Sequence, residues 1–343
     1  MKILSIETEL KLIPLKTPFI TALRRVENVE FVRVTLICEN DFKAIGEAPA
    51  TKAITGEGLE DILNSIEKVK SLLVLHMPKD ALVILHQQDI GSSAKAALDM
   101  ALVSLLSQQK EQKLYEYFGA EKPIKLKTDI TISLKSEDEM LRDSVLAYKN
   151  GMEILKVKLG DNITHAIKIT KLISKQLPHA NIIIDANQAW SVEDTLKYIK
   201  AVKNYKLELI EQPVIASDID GLKIITQNSH ISILADETVF TLEDAKKVIE
   251  SKSADMINIK LMKCGGVSKA IEILEYARQM SVKCMLGSML EGPYSINAAL
   301  HLAIAYSDVI EYIDLDSPLL YKEASNELEF EFNGSEIFYK GIN

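Results

Sequence analysis

From residue 158 onward, a charged or polar residue closes a short β-branched run at a nearly constant interval. Lys158, Asp185, Glu211, Asp236, Lys260, Ser288 and Asp314 are separated by 27, 26, 25, 24, 28 and 26 residues. The runs they close are EILKVKLG, NIIIDAN, LELIEQP, ISILADE, DMINIKLMK, KCMLGSM and EYIDLD, and KLKTDITISL precedes them. Between them lie amphipathic stretches of helical period, such as SVEDTLKYIKAVKN and VSKAIEILEYARQM. Strand alternating with helix implies parallel strands joined by helical crossovers. Eight strands on one repeat predict a (β/α)8-type, TIM-like barrel. An open dinucleotide-binding sheet is disfavoured, because no GxGxxG follows any of the runs.

The first third reads differently. Residues 2–11, 29–38 and 42–48 alternate apolar and polar with β-branched residues, which predicts an antiparallel meander. Two long connections interrupt it, TPFITALRRVENVE and GEAPATKAITGEG; segments of that length in a compact domain are more often functional than inert. From Leu59 to about Phe118 the period becomes helical, with small residues in SSAKAALDMALVSLLSQQ that permit close packing. After the eighth run, LEFEFNGSEIFYKG reads as a β-hairpin that returns to the N-terminal part. The expected organisation is an α+β capping domain over residues 1–120, with lid loops at about 17–28 and 47–58. A catalytic α/β barrel follows over 121–316, and a C-terminal return over 317–343 completes the cap.

Composition narrows the functional classes. At 47% hydrophobic and 26% charged residues, the 343-residue chain has the balance of an ordinary globular protein. A net charge of −9 argues against nucleic acid as a partner. The N-terminus lacks an apolar signal core and no run approaches the roughly 18 residues of a membrane span, so a cytoplasmic protein without membrane association is expected. Cys38, Cys264 and Cys284 show no metal or disulfide spacing and read as reduced core residues.

In such a barrel the active site lies at the C-terminal strand ends. Those ends carry Lys156 and Lys158 on the second strand, Asp185 on the third, Glu211 on the fourth, Asp236 on the fifth, Lys260 on the sixth, and Asp314 and Asp316 on the eighth. A single carboxylate there is as readily a helix cap. A whole ring of buried charges would cost several kcal/mol per unpaired ion without a function. Asp185, Glu211 and Asp236 stand on adjacent strands about 4.8 Å apart and can converge. Oxygen ligands without His or Cys suit Mg²⁺ rather than zinc. Strands two and six oppose each other in a ring of eight, so Lys158 and Lys260 flank whatever is held between them. Lys156 shares the parity of Lys158, and two neighbouring ammonium groups are expected to depress each other's pKa. A substrate carboxylate on the metal has its α-proton acidified, because the enediolate is stabilised. Two bases on opposite faces then permit inversion of a stereocentre, whereas one permits elimination.

KVK, DAN, EQP, ADE and NIK, in this order and at this spacing, resemble the enolase superfamily, in particular its muconate-lactonizing-enzyme subgroup. Its sites combine a lysine or histidine base with Mg²⁺. The resemblance spans essentially the whole chain. It implies Asp185, Glu211 and Asp236 as metal ligands, Lys158 and Lys260 as the acid–base pair, and Lys156 as a residue that tunes Lys158. Asp314-Leu315-Asp316 resembles the DxD element of dipeptide epimerases, which binds the substrate's α-ammonium; two carboxylates outside the metal site want a cation. Thr131 in TDITI matches the same subfamily, and Ser288 is a candidate for backbone-assisted contact. Arg24, in Leu23-Arg24-Arg25, resembles the arginine that meets the γ-carboxylate in Ala-Glu epimerases, a role its fork suits. Pro18, Phe19, Ile20 and Ile54 would instead suit a hydrophobic dipeptide.

The resemblance implies a Mg²⁺-dependent dipeptide epimerase, acting on L-Ala-L/D-Glu-type or hydrophobic L-Ala-L-Xaa dipeptides by two-base 1,1-proton transfer. Its partner is the small-molecule dipeptide, and self-association into a homo-oligomer is left open. Two rivals stand beside it: a lyase of the same fold, such as an o-succinylbenzoate synthase or cycloisomerase, and a non-catalytic metal- or ligand-binding barrel. The DxD element counts against the first and the two lysines against the second. Glu291, His301 and Trp190 take structural readings, with Trp190 expected to begin the helix after the third strand.

Overall fold

The computed structural model describes residues 1–21 and 25–341. Strands β1 (Ile3–Ile20), β2 (Arg25–Cys38) and β3 (Lys43–Pro49) form the antiparallel meander in the order β1-β2-β3. Val32, Val34, Leu36 and Cys38 alternate along β2 and are buried, as a half-buried strand requires. They belong to one core with the helices Leu59–Leu73 and Ser92–Gln109. Gly46 lets β3 lie directly on the second of these, since a Cβ there would fall 1.9 Å from the Ala97 carbonyl oxygen. The first long connection is more ordered than expected. Pairing of β1 with β2 runs on to Phe19↔Val26 and Ile20↔Arg25 beyond an irregularity after Pro14, so a long hairpin projects from the sheet.

After β4 (Leu126–Lys127), eight parallel strands follow in ring order. They are β5 (Ile130–Ile132), β6 (Ile154–Lys158), β7 (Asn181–Asp185), β8 (Leu209–Glu211), β9 (Ser232–Ala235), β10 (Met256–Lys260), β11 (Cys284–Gly287) and β12 (Ile310–Asp314). The ring closes between its ends: the Asp129 amide donates to the Ile313 carbonyl at 3.1 Å, and the Leu315 amide donates to Thr128 Oγ1 at 3.0 Å. The fold is therefore the expected (β/α)8-type barrel with an α+β cap.

The barrel's interior explains the sequence rhythm. Ile183, Leu209, Leu234, Met256 and Met285 form a buried apolar floor. Two residues further on, where the side chain returns to the same face, stand Asp185, Glu211, Asp236, Asn258 and Gly287. The intervening residues, such as Ile184, Ile210, Ala235 and Ile257, point outward into the core shared with the helices. β7 to β10 thus each supply an apolar plug below and a polar group above, while on β11 that upper place is Gly287.

The cap sits over the polar end. The Leu134 amide donates to the Ile20 carbonyl at 3.0 Å and the Ile20 amide to Ser133 Oγ at 3.1 Å, docking the hairpin on the loop after β5. Arg33 of β2 bridges buried Glu47 of β3, at 2.7 Å, and Glu327 of the C-terminal return, at 2.6 Å. The return's hairpin, β13 (Phe330–Asn333) and β14 (Glu336–Tyr339), pairs with β4 and not with the cap's own sheet. It meets the cap through Tyr339, whose ring packs edge-on to Tyr115, and through the segment before it, where Leu15 bridges Tyr321 and the Lys322 amide donates to the Pro14 carbonyl. Trp190 precedes the helix Val192–Val202 instead of beginning it; its Nε1 donates to the Gly160 carbonyl at 2.9 Å and its ring packs on Tyr198. Of the cysteines, Cys38 and Cys284 are buried, whereas Cys264 is only partly so. Among the described residues, no helix is long and apolar enough to cross a membrane.

Candidate active site

The ring of charges is not a ring of helix caps. Asn162, Ser191, Asp218 and Thr241 cap the helices after β6 to β9, each accepting a hydrogen bond from a first-turn amide. Asp185, Glu211 and Asp236 are left to point inward, and all three are buried.

Register sets them on neighbouring strands, with lysines between them. Lys158 pairs laterally with Asp185, and Asp185 with Glu211. Lys158 Nζ donates to Asp185 Oδ2. Lys260 Nζ lies 2.6 Å from Asp236 Oδ2. Lys156, fully buried, reaches further than expected: its Nζ is 2.6 Å from Glu211 Oε2, 2.6 Å from Asp314 Oδ2 and 3.3 Å from Asp185 Oδ2. Gly287 gives the Lys260 stem its room, since a Cβ there would lie 3.0 Å from Lys260 Cε and 2.7 Å from Asn258 Oδ1.

Several groups at the site were not singled out from the sequence. Lys263, on the short helix Leu261–Cys264, donates to Asp236 Oδ1 and to the Asn258 carbonyl, and so fixes Asp236 from behind. Asn258 Nδ2 donates to Glu211 Oε1 at 2.8 Å. Asn258 has the inward parity of Lys260, so strand alternation could have found it. Lys263 has no such signal, because a helix intervenes. Glu237 is buried beside Asp236 and lines the cleft.

The electrostatics follow from burial and these partners. Burial pushes the Glu211 carboxyl up, the charge of Asp185 adds to it, and Lys156 opposes without winning, leaving it at about 8. Glu237 is raised to about 7 by burial and by Asp236. For Asp185 and Asp236 burial acts in the same direction, but their lysines outweigh it and both are held below the usual carboxylate range. The depression expected of two neighbouring ammonium groups is reversed at Lys156, and Lys260 is raised as well. Burial does favour their neutral forms, yet Asp314, Glu211 and Asp185 around Lys156, and Asp236 beside Lys260, raise both above the ordinary lysine value. Carboxylates within ion-pair distance of each ammonium outweigh the neighbouring ammonium, and attraction between opposite charges dominates.

These residues suit a hard divalent cation. The donors are all oxygen, and Glu237 Oε2, beside Asp236, is buried without a hydrogen-bond donor. Buried acceptors in that condition want either protons or a cation.

Above the charges lies a cleft of about 570 Å³ counted to its open mouth. Lys158, Lys260 and Asp236 line its base, Thr131, Ser288, Asp314 and Asp316 its β5–β12 side, and Phe19, Thr21, Ala53 and Ile54 its roof from the cap. Asp316 lies just past β12, where its Oδ2 accepts from the Thr131 amide at 2.7 Å. The Ser288 amide and hydroxyl both donate to the Asp314 carbonyl, at 3.0 and 3.3 Å, so Ser288 steadies the end of β12 as well as facing the cleft. Arg24 lies outside the described residues. Its neighbour Arg25 is solvent-exposed and pairs with Glu27.

Residues 139–337 match the family described as Enolase C-terminal domain-like. Over 338 residues the chain is 62% identical to the L-amino acid-D/L-Glu epimerase of Sulfurimonas denitrificans, covering 98% of this chain and 99% of the relative. The chain belongs to the enolase superfamily. Its membership is carried by the whole fold: the substrate-liganded L-Ala-D/L-Glu epimerase of Bacillus subtilis superposes with a TM-score of 0.94 at 36% identity, over 99% of this chain and 96% of that one. The dipeptide epimerase of Enterococcus faecalis, complexed with Mg and L-Leu-L-Tyr, gives 0.91 at 31% identity over 98% and 100%. Within the superfamily the protein is an isomerase of the dipeptide epimerase type.

Proposed function

We propose that this epimerase inverts the α-carbon of the C-terminal residue of L-Xaa-D/L-Glu dipeptides, L-Ala-D/L-Glu among them, with Mg²⁺ as its cofactor. The observation that carries the mechanism is the placement of Lys158 and Lys260 on strands four apart in a ring of eight, both lining one cleft. A substrate lying between them offers one face of its α-carbon to each. One Nζ takes the α-proton and the other returns a proton to the opposite face, a 1,1-proton transfer with no net change in composition. Asp185, Glu211 and Asp236 would hold the cation, which when bound stabilises the negative charge that gathers on the substrate carboxylate as the α-proton leaves. Asp185 and Asp236 are also the ion-pair partners of Lys158 and Lys260. Held on a cation, the two carboxylates would pair less strongly with these ammonium groups.

Asp314 and Asp316, on the far side of the cleft, would receive the substrate's α-ammonium, with Thr131 placing Asp316 through its amide. That element has no use in a lyase acting on a substrate without a cation, and the pair of lysines has none in a non-catalytic barrel. The glutamate preference rests on the names of the epimerases of Sulfurimonas denitrificans and Bacillus subtilis and on the presence of Arg24 in the sequence. A second reading, hydrophobic dipeptides, is favoured by Phe19, Ile54, Met289 and Leu290 in the cleft wall. Under either, the cap closes over the substrate while the barrel does the chemistry.

The test is incubation of a dipeptide panel with the protein and Mg²⁺ in D₂O. Deuterium should enter at the α-carbon of the second residue, both epimers should accumulate, and EDTA should stop the reaction. Exchange confined to hydrophobic dipeptides would move the substrate to the second reading. No exchange with any dipeptide would reject the proposal.

A further inference from the structure

Asp129, which precedes β5, is fully buried, and neither of its carboxyl oxygens has a hydrogen-bond donor. Its backbone is fixed where the barrel closes, the amide donating to the Ile313 carbonyl and the adjacent Thr128 hydroxyl bonding the Ile313 carbonyl and the Leu315 amide that flank Asp314. The side chain cannot easily turn away. Asp129, Asp314 and Asp316 each offer an oxygen within 4.8 Å of the other two.

Charge around this group is one-sided. From β12 and the residues after it come the carboxylates of Asp314 and Asp316; from β6 comes the single ammonium of Lys156. That ammonium is already shared among Asp314, Glu211 and Asp185. Asp316 has the Thr131 amide, and Asp129 has nothing. Three like charges in so small a buried volume cannot all stand on one shared cation. The group that lacks every donor is the one that takes a proton. Burial, reinforced by Asp314, pushes the Asp129 carboxyl well above the usual range.

We propose that Asp129 is a positioning residue of the ammonium subsite: a carboxyl that remains protonated beside Asp314 and Asp316, offers them an O–H, and leaves two carboxylates to face the substrate's cation. The inference rests on the reading of Asp314 and Asp316 as the α-ammonium site. Asp129 itself is fully buried behind them and does not line the cleft.

The decisive measurement is carboxyl-carbon NMR of the Asp-labelled protein, with the Asp129 signal assigned by its loss in Asp129→Asn. At pH 7 the signal should sit at the protonated position, where surface aspartates are ionised. An ionised position overturns the proposal. Kinetics give an independent arm, since asparagine keeps the shape and donor capacity of the neutral acid. Asp129→Asn should leave KM for a free-amine dipeptide within about threefold, whereas Asp129→Leu should raise it by about tenfold with a smaller change in kcat. A tenfold rise in Asp129→Asn, confined to substrates with a free α-ammonium, would instead show that Asp129 is a third counter-ion. Asp316→Asn separates the two readings. If it leaves that KM unmoved while Asp129 proves protonated, the ammonium assignment fails and the proton assignment survives.

Discussion

Lys156 and Asp314 form an ion pair at 2.6 Å that joins the two halves of the site. Lys156 stands on β6 beside the proposed cation ligands, and Asp314 ends β12 at the proposed ammonium subsite. The same ammonium also contacts Glu211 and Asp185. A buried cation with three carboxylate partners is the electrostatic keystone of the barrel top, and its side chain is buried nearly completely. Removing it strands Glu211 and Asp314, while Asp185 keeps Lys158; a change of this kind costs about 3–5 kcal/mol. Lys156→Met should therefore lower the urea midpoint by an amount of that order and abolish turnover. A stability within about 1 kcal/mol of the parent would show that the two carboxylates find other partners.

The two cleft lysines make a stereochemical prediction. If each serves one face of the α-carbon, Lys158→Ala and Lys260→Ala should both lose epimerisation by about 10²–10⁴-fold, the range of a general acid–base group. Their residual behaviour should be complementary. In D₂O each variant should still exchange the α-proton of one epimer, and the epimer should differ between the variants. Retention of full turnover by either variant would leave only one lysine essential. Exchange of the same epimer in both would place the two ammonium groups on one face.

Glu291 supplies a pH dependence away from the proposed cation ligands. It is buried in the loop after β11 and accepts hydrogen bonds from the Met289 amide and the Ser295 hydroxyl. Burial nevertheless raises its carboxyl from 4.5 to about 7. Below pH 4.5 it is protonated in both folded and unfolded chains. Between 4.5 and 7 the unfolded chain releases its proton first, so stability falls as pH rises. Above 7 both forms are ionised and the loss is complete, at about 3 kcal/mol for this group. Glu291→Gln removes that contribution. The difference in urea stability between variant and parent should grow in the variant's favour across this window and then level off. A constant difference would place the Glu291 pKa near its ordinary value.

The repeat made the barrel legible before any coordinates. A polar residue at the strand end, two positions beyond an apolar one, as on β7, β8 and β9, is a direct consequence of side-chain alternation and of a plugged barrel floor. The same alternation placed Asp185, Glu211, Lys158 and Lys260 on the inner face. What could not be read was partnership. Lys156 was expected to act on Lys158 because they share a strand face; its long side chain instead crosses to Glu211 and Asp314, a contact fixed by ring curvature. Lys263 escaped notice because its helix turns it back toward Asp236. Asp129 sits in a short segment whose role depends on where the barrel closes, a relation between residues 184 positions apart in the case of Asp129 and Ile313. The pairing of the C-terminal hairpin with β4 was likewise hidden, since alternation sets a strand's faces but not its neighbour.

Gly287 offers a way to move one lysine without removing it. Its backbone needs no unusual conformation, so alanine is tolerated locally; what alanine meets is the site itself. The added Cβ would lie 2.7 Å from Asn258 Oδ1 and 3.0 Å from Lys260 Cε. Both neighbours are side chains, and the lysine stem is the more flexible. Gly287→Ala should fold and retain most of its stability while Lys260 shifts by a few tenths of an ångström or more. Misplacement of a reacting group by about 1 Å can cost about 10²-fold. The loss should be unequal: proton abstraction from the epimer served by Lys260 should fall by about 10–100-fold, and abstraction from the epimer served by Lys158 should fall much less. Measuring initial exchange rates for each epimer separately checks this. Equal losses would mean that the methyl group acts through Asn258 and Glu211 on the cation ligands, and unchanged rates would mean that the Lys260 stem has free space on its other side.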